Sequence, residues 1–145
     1  MKKIYFACSI TGGRDHAHVY PEIVKIIKDA GMHVLSEAFA DPTIKSSQGL
    51  GMKKGMAAEE VWQWDLNWLE EAHAIIAEVT QPSLGVGYEI AKAHEYGKPV
   101  LALYHPRPGH RLTAMVKGAP NVLVFEYQNV EETKPVIAEF VQALG

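Results

Sequence analysis

Two hydrophobic periods alternate along this chain. Short apolar runs rich in β-branched and aromatic residues fall at 3–9 (KIYFACS), 32–37 (MHVLSE), 74–79 (AIIAEV), 99–104 (PVLALY) and 121–127 (NVLVFEY). Runs of this length and composition predict strands. Between them the spacing changes to three and four, the helical period. Val19, Ile23, Ile26 and Ile27 mark a helix over 18–30, with Gly31 as its natural stop. Val61, Asp65, Trp68 and Ala72 mark a second over 57–72, and Val136, Ile137, Phe140, Val141 and Leu144 a last one over 130–144. Residues 90–97 and 111–117 read as shorter helices. Residues 39–56 show no period and carry Lys45, Gly49, Gly51, Lys53, Lys54 and Gly55. A segment that long inside a compact domain is expected to be a functional lid.

Strands alternating with helices imply parallel pairing through right-handed crossovers. The expected fold is α/β: a doubly wound (Rossmann-like or flavodoxin-like) five-stranded parallel sheet of order 2-1-3-4-5, with helices on both faces. Ligands of such sheets bind beyond the carboxyl ends of the strands, where the order reverses, here between the first and third strands. The loops at those ends are 9–14 and 80–87. In the second, Pro82 sets a turn, and Gly85 and Gly87 allow close approach to the backbone before the helix expected at 90. Free N–H groups at a helix start make an anion site. Glu89 follows about one helical turn, roughly 6 Å, further on.

Composition narrows the class. The 145 residues, 48% of them hydrophobic, fit a single domain over 1–145 with a sizeable core. A net charge of -3 argues against a partner made of nucleic-acid polymer. One cysteine, Cys8, excludes an internal disulfide and reads as a small core residue. No apolar run is long enough to span a bilayer, and the N-terminus enters a strand without a signal peptide, so a cytoplasmic protein is expected. The seven histidines, among them the pairs His16/His18 and His105/His110, show no zinc spacing. No metal and no cofactor are expected. Gly12-Gly13-Arg14 is not a dinucleotide fingerprint and Gly85-x-Gly87 is half of one. Ser83 is not in a nucleophile elbow. Trp62, Trp64 and Trp68 cannot all face the core of one helix, so an exposed aromatic patch and a subunit interface are expected.

Two acids remain as candidates for chemistry. Asp65 sits within an apolar stripe, and the spacing leaves open whether it is a surface acid or a largely buried carboxylate that donates a proton or orients substrate. Glu89 shares a face with Val86, Ile90 and Ala93 and should point toward the sheet. Its ordinary alternative is a first-turn acid complementing the helix dipole. Together they suit glycosidic cleavage, one as nucleophile and one as acid.

Tyr5-Phe6-Ala7-Cys8-Ser9-Ile10-Thr11-Gly12-Gly13-Arg14, Asp65-Leu66-Asn67-Trp68-Leu69 and the run from Ala77 to Glu89 (AEVTQPSLGVGYE) resemble the 2'-deoxynucleoside 5'-phosphate N-hydrolases. These belong to the nucleoside 2-deoxyribosyltransferase superfamily, and the likeness covers nearly the whole chain. It implies hydrolysis of a nucleoside 5'-monophosphate to free base and sugar 5-phosphate through a glycosyl ester on Glu89. Asp65 is implied as the assisting acid or orienting group, and Tyr5 as support for the same centre. Ser9, with Ile10, Thr11, Gly12, Arg14 and Tyr20, and Ser83, with Gly85 and Gly87, are implied to bind substrate. A homodimer is implied, with Thr113-Ala114-Met115 of the partner completing the phosphate site. The sequence departs from the family pattern at Thr11, where an arginine is usual, at Cys8, where a glycine is usual, and at Ala38, where a histidine is usual. The first and third bear on selectivity among bases and sugars. A deoxyribosyltransferase and a non-catalytic nucleotide-binding module remain the alternative functions.

Overall fold

Side chains alternate across a strand, so β1 (Lys3–Ala7) sends Tyr5 and Phe6 into opposite halves of the molecule. The computed structural model describes residues 1–10, 13–43 and 55–145. Thr11, Gly12 and residues 44–54, most of the expected lid, lie outside the described residues. β1 lies between β2 (His33–Val34) and β3 (Ala74–Glu78), followed by β4 (Val100–Tyr104) and β5 (Val122–Glu126). All pairs are parallel and the order is β2-β1-β3-β4-β5, as the alternation predicts. Every residue of β3 and β4 is buried, the mark of strands covered on both faces. Tyr5 pairs with Ile75 and Phe6 with Ile76, so Glu78 shares the Phe6 face.

Helices α1 (Tyr20–Asp29) and α5 (Thr133–Gln142) pack together, and α2 (Ala58–Glu71) packs with α3 (Leu84–Glu95). Tyr20 of α1 meets Phe6 edge-on, whereas Trp68 of α2 meets Tyr5, which assigns the two pairs to the two faces. A short α4 (Ala114–Lys117) precedes β5.

Five expected spans change. The second strand shrinks to His33–Val34, because Ser36 turns inward and its hydroxyl takes the Phe6 N–H and gives to the Phe6 carbonyl, both at 2.8 Å. The fourth helix shrinks to Ala114–Lys117, starting where the Thr113 hydroxyl accepts the Met115 N–H at 3.3 Å. The first and last helices are each preceded by a 3-10 turn, Ala17–Val19 and Val130–Glu132. The third helix starts at Leu84 and not at residue 90, because the Ser83 hydroxyl accepts the Val86 N–H at 3.2 Å and caps it. Gly85 and Gly87 therefore lie in the first turns of α3 itself.

Phase shifts as well. The fully buried residues of α2 are Leu66 and Leu69, so the stripe expected at Val61, Asp65 and Trp68 flanks the core and is half-buried. Trp62 and Trp64 are exposed and Trp68 is not, in line with three tryptophans that cannot all face inward.

Candidate active site

Three elements bring the candidate acids to one place. Tyr5 rises from the middle of β1, Asp65 flanks the buried face of α2, and Glu89 points from α3 toward the sheet. The Tyr5 hydroxyl donates to Glu89 Oε2. Burial pushes the Tyr5 phenol well above its ordinary pKa, and the charges of Glu89 and then Asp65 push it further. Tyr5 is therefore a neutral donor at any physiological pH. It engages one oxygen of the Glu89 carboxylate. Both acids are half-buried, so Asp65 is neither the surface acid nor the largely buried carboxylate between which its spacing left the choice.

The half of the site expected to bind an anion is the start of α3. Ser83 supplies the cap, and the helix's own bonds begin with Gly87 N–H to the Ser83 carbonyl at 3.1 Å. The N–H groups of Leu84 and Gly85 precede those bonds and face outward from the first turn. Both glycines adopt an ordinary φ, since neither is among the positive-φ residues. A Cβ on Gly87 would meet nothing within 4 Å, and one on Gly85 would meet only the Ser83 hydroxyl at 3.8 Å. Glycine in a helix costs about 1 kcal/mol relative to alanine. Among the described residues, packing asks for neither glycine, as expected if the backbone here is kept open for close approach by a ligand. Gly87→Ala is accordingly expected to raise the melting temperature by a few degrees while raising KM for the nucleotide, a pair of opposite shifts read by thermal denaturation and initial rates.

The first loop is held differently. The Ser9 side chain is engaged by its own loop, donating to the Gly13 carbonyl at 2.7 Å. Gly13, at φ +122, packs so closely on Gln81 that a Cβ would sit 2.9 Å from its amide nitrogen, so the loops after β1 and β3 touch. Arg14 donates to the carbonyls of Ser9, Phe39 and Asp41 and lies over the Tyr20 ring, 5.4 Å from its centroid. Tyr20 is fully buried on the Phe6 face. Arg14 and Tyr20 thus brace the loop, and Tyr20 has no exposed surface with which to meet a ligand. Ile10 is half-buried beside them. Cys8 is buried, and desolvation lifts its thiol to about 12, so it is an unreactive core residue.

Thr113, Ala114 and Met115 are exposed at the start of α4 and, with Ser83 and Gly87, line an apolar groove of about 970 Å³ between α3 and α4. Glu89 and Tyr5 do not line it. The groove runs along the opposite flank of α3 from the acids and shares only the helix start with them.

A second polar centre, passed over in the sequence reading, lies on the Phe6 face. Glu78 is completely buried at the end of β3, and its carboxyl is bonded to Thr80 and Tyr127. Burial lifts its pKa to about 7 against the opposing effect of those hydrogen bonds. Desolvation, then the neighbouring His18, His105 and Arg107, lowers His16 to about 4. The 3.5 Å contact between His16 and Glu78 is therefore not an ion pair at neutral pH. The signal was present in the sequence: a glutamate inside the otherwise apolar run AIIAEV must be paired if the strand is buried.

A doubly wound α/β protein with a carboxylate–phenol pair one to two turns from a capped helix start is what these elements define. The sequence model of the nucleoside 2-deoxyribosyltransferase family matches residues 4–131. A 5-hydroxymethyl-dUMP N-hydrolase of Rattus norvegicus is 40% identical over 129 residues, covering 89% of this chain and 77% of its own. Another of that name from Esox lucius is 36% identical over 144 residues, covering 98% of this chain and 97% of its own. Among solved structures, the Clostridium botulinum CMP N-glycosidase BcmB superposes with a TM-score of 0.66 at 15% identity, over 96% of this chain and 99% of its own. The chain belongs to the nucleoside 2-deoxyribosyltransferase family.

Proposed function

We propose that this protein hydrolyses the N-glycosidic bond of (2'-deoxy)nucleoside 5'-monophosphates, giving free nucleobase and (2-deoxy)ribose 5-phosphate. The observation that carries the reading is the Tyr5–Glu89 pair set beyond the α3 start. From Gly85 to Glu89 the helix rises about 6 Å, the span of a pentose between its 5-phosphate and its anomeric carbon. The phosphate sits on the N–H groups of Leu84 and Gly85 beside Ser83, with Ser9 and Ile10 on the facing loop. A carboxylate oxygen of Glu89 attacks the anomeric carbon, forming a C–O ester as the C–N bond breaks, and the base leaves with the bond's electron pair. Asp65 supplies or steers the proton that the base takes up. Water then attacks the same carbon while giving a proton to Asp65, left as a carboxylate by the first step; Glu89 is released as a carboxylate and the sugar phosphate forms with retention. Tyr5 holds Glu89 in line throughout, and its neutral phenol stabilises the carboxylate when it leaves.

The working unit of this reading is a homodimer. Leu84 is 96% exposed and Met115 82% exposed, large apolar side chains flanking the α3–α4 groove, and Trp62 and Tyr88 add an exposed, hydrogen-bonded aromatic pair. A second copy covering this surface brings its Thr113 hydroxyl to the phosphate. The surroundings of the reaction are read as cytoplasmic, in keeping with a free, buried Cys8. Among the described residues no helix is long and apolar enough to cross a membrane.

The test is a panel of ribo- and deoxyribonucleoside 5'-monophosphates with their unphosphorylated nucleosides, assayed for free base and sugar 5-phosphate. Base release from the phosphorylated members alone is expected. Transfer to an added acceptor base outrunning hydrolysis makes the protein a deoxyribosyltransferase, and binding without turnover makes it a sensor.

A further inference from the structure

One carboxylate ties together four segments at the carboxyl edge of the sheet, and it faces away from the acids of the proposed site. Glu78 belongs to the Phe6 face by its register, while Tyr5 and Glu89 meet on the other. Glu78 Oε1 accepts the Thr80 N–H at 2.7 Å, and Oε2 accepts the Thr80 hydroxyl at 3.0 Å and the Tyr127 hydroxyl. The Tyr127 oxygen then accepts from His16 Nε2 at 2.8 Å, which makes His16 the neutral Nε2–H tautomer. The Thr80 hydroxyl accepts the His105 N–H at 2.9 Å, and Arg107 donates to the Thr80 carbonyl at 3.1 Å. His105 Nδ1 donates to the Tyr127 carbonyl at 2.9 Å and closes the ring of contacts. The segments before α1 and after β3, β4 and β5 thus converge on one buried acid.

Stability alone does not account for it. A buried carboxylate carries a large desolvation cost, and apolar residues of similar volume commonly do as well or better. The carboxylate adds direction: it fixes Thr80 by its N–H and its hydroxyl together, three residues before the Ser83 cap. Glu78 reaches no reacting atom, because the sheet stands between it and Glu89.

We infer that Glu78 is the positioning residue of the phosphate cradle, acting through Thr80 to set the course of residues 80–83 and so the aim of the first-turn N–H groups of α3. Naming the ligand as a phosphate rests on the proposed function. Its effect therefore falls on binding of the phosphoryl end and spares the chemical step.

The experiment measures inorganic phosphate binding by calorimetry, and KM and kcat for a hydrolysed nucleotide, in the full chain and in Glu78→Gln, Thr80→Val and the double variant. Glu78→Gln is expected to weaken phosphate binding and raise KM by the same factor, about tenfold, with kcat within about threefold of wild type. Thr80→Val should match it, and the double variant should be no worse than either alone, because both break one connection. A folded Glu78→Gln protein with phosphate affinity within twofold of wild type overturns the inference, as does a fall in kcat at constant KM or additive effects. If Glu78→Gln does not fold, Thr80→Val decides by the same two readouts. A wild type that binds phosphate but releases no base sinks the hydrolase reading and leaves this one standing. One that hydrolyses nucleotides while Glu78→Gln binds phosphate as well as it does has the reverse result.

Discussion

Glu89→Gln is expected to abolish turnover, by on the order of 10³-fold or more in kcat, while leaving the protein folded and able to bind nucleotide. The amide is isosteric with the carboxylate, and its oxygen still accepts from the Tyr5 hydroxyl that now meets Oε2. The α3 start, with Ser83 and the N–H groups of Leu84 and Gly85, is untouched, so the Kd for a nucleotide should stay within a few-fold of wild type. What disappears is the proposed nucleophile, because an amide oxygen does not form a glycosyl ester under these conditions. Base release measured by chromatography, with nucleotide binding by calorimetry, separates the two effects. Equal rates in the variant and the wild type would remove Glu89 from the mechanism. Intact-mass measurement of quenched wild-type reactions should also show a sugar-phosphate adduct that the variant lacks.

The second large effect is at Asp65. Its charge is felt by Tyr5, whose phenol it helps to push upward, so it lies within electrostatic reach of the Tyr5–Glu89 pair. Asp65→Asn keeps the shape of the side chain but offers no acidic proton. A positioned acid contributes about 10²–10⁴-fold, and a loss of about a hundredfold in kcat is expected here. The loss should depend on the leaving base. Bases that depart poorly without protonation should lose most, and bases that depart readily as anions should lose least. A uniform loss across bases would make Asp65 an orienting group for the sugar instead. The comparison needs only kcat for several nucleotides in the two proteins.

Much of this architecture is legible in the residues, for physical reasons that differ between elements. A strand buried on both faces has to be a continuous apolar run, so β1, β3 and β4 announce themselves. Parallel pairing follows from the helices between them, and the switch point from the order. Glu89 is inward because its helical phase is shared with Val86, Ile90 and Ala93, all buried. The start of α3 is not legible in the residues, because two glycines in four residues look like a loop. A single side-chain bond from Ser83 outweighs that local preference, and a hydrogen bond of this kind has no periodicity to reveal it. The phase of α2 differs by about one residue for a related reason: Trp68 is large enough to count as core by type, while Leu66 and Leu69 are the residues of the helix that are buried.

The sequence by itself determined that this chain folds as a doubly wound sheet, that two loops meet at its switch point, and that an acid follows one of them by a helical turn. These are matters of period and spacing, which are local properties. The tertiary structure alone decided the rest. It brought the Tyr5 phenol from β1 onto the Glu89 carboxylate of α3, 84 positions away in the chain. It turned Arg14 and Tyr20 into braces, and placed the apolar groove on the flank of α3 opposite the acids. It also gathered Thr80, Tyr127 and His16 around Glu78, whose burial no local pattern specifies. Distant residues meet only when the sheet closes, and their protonation follows from that meeting.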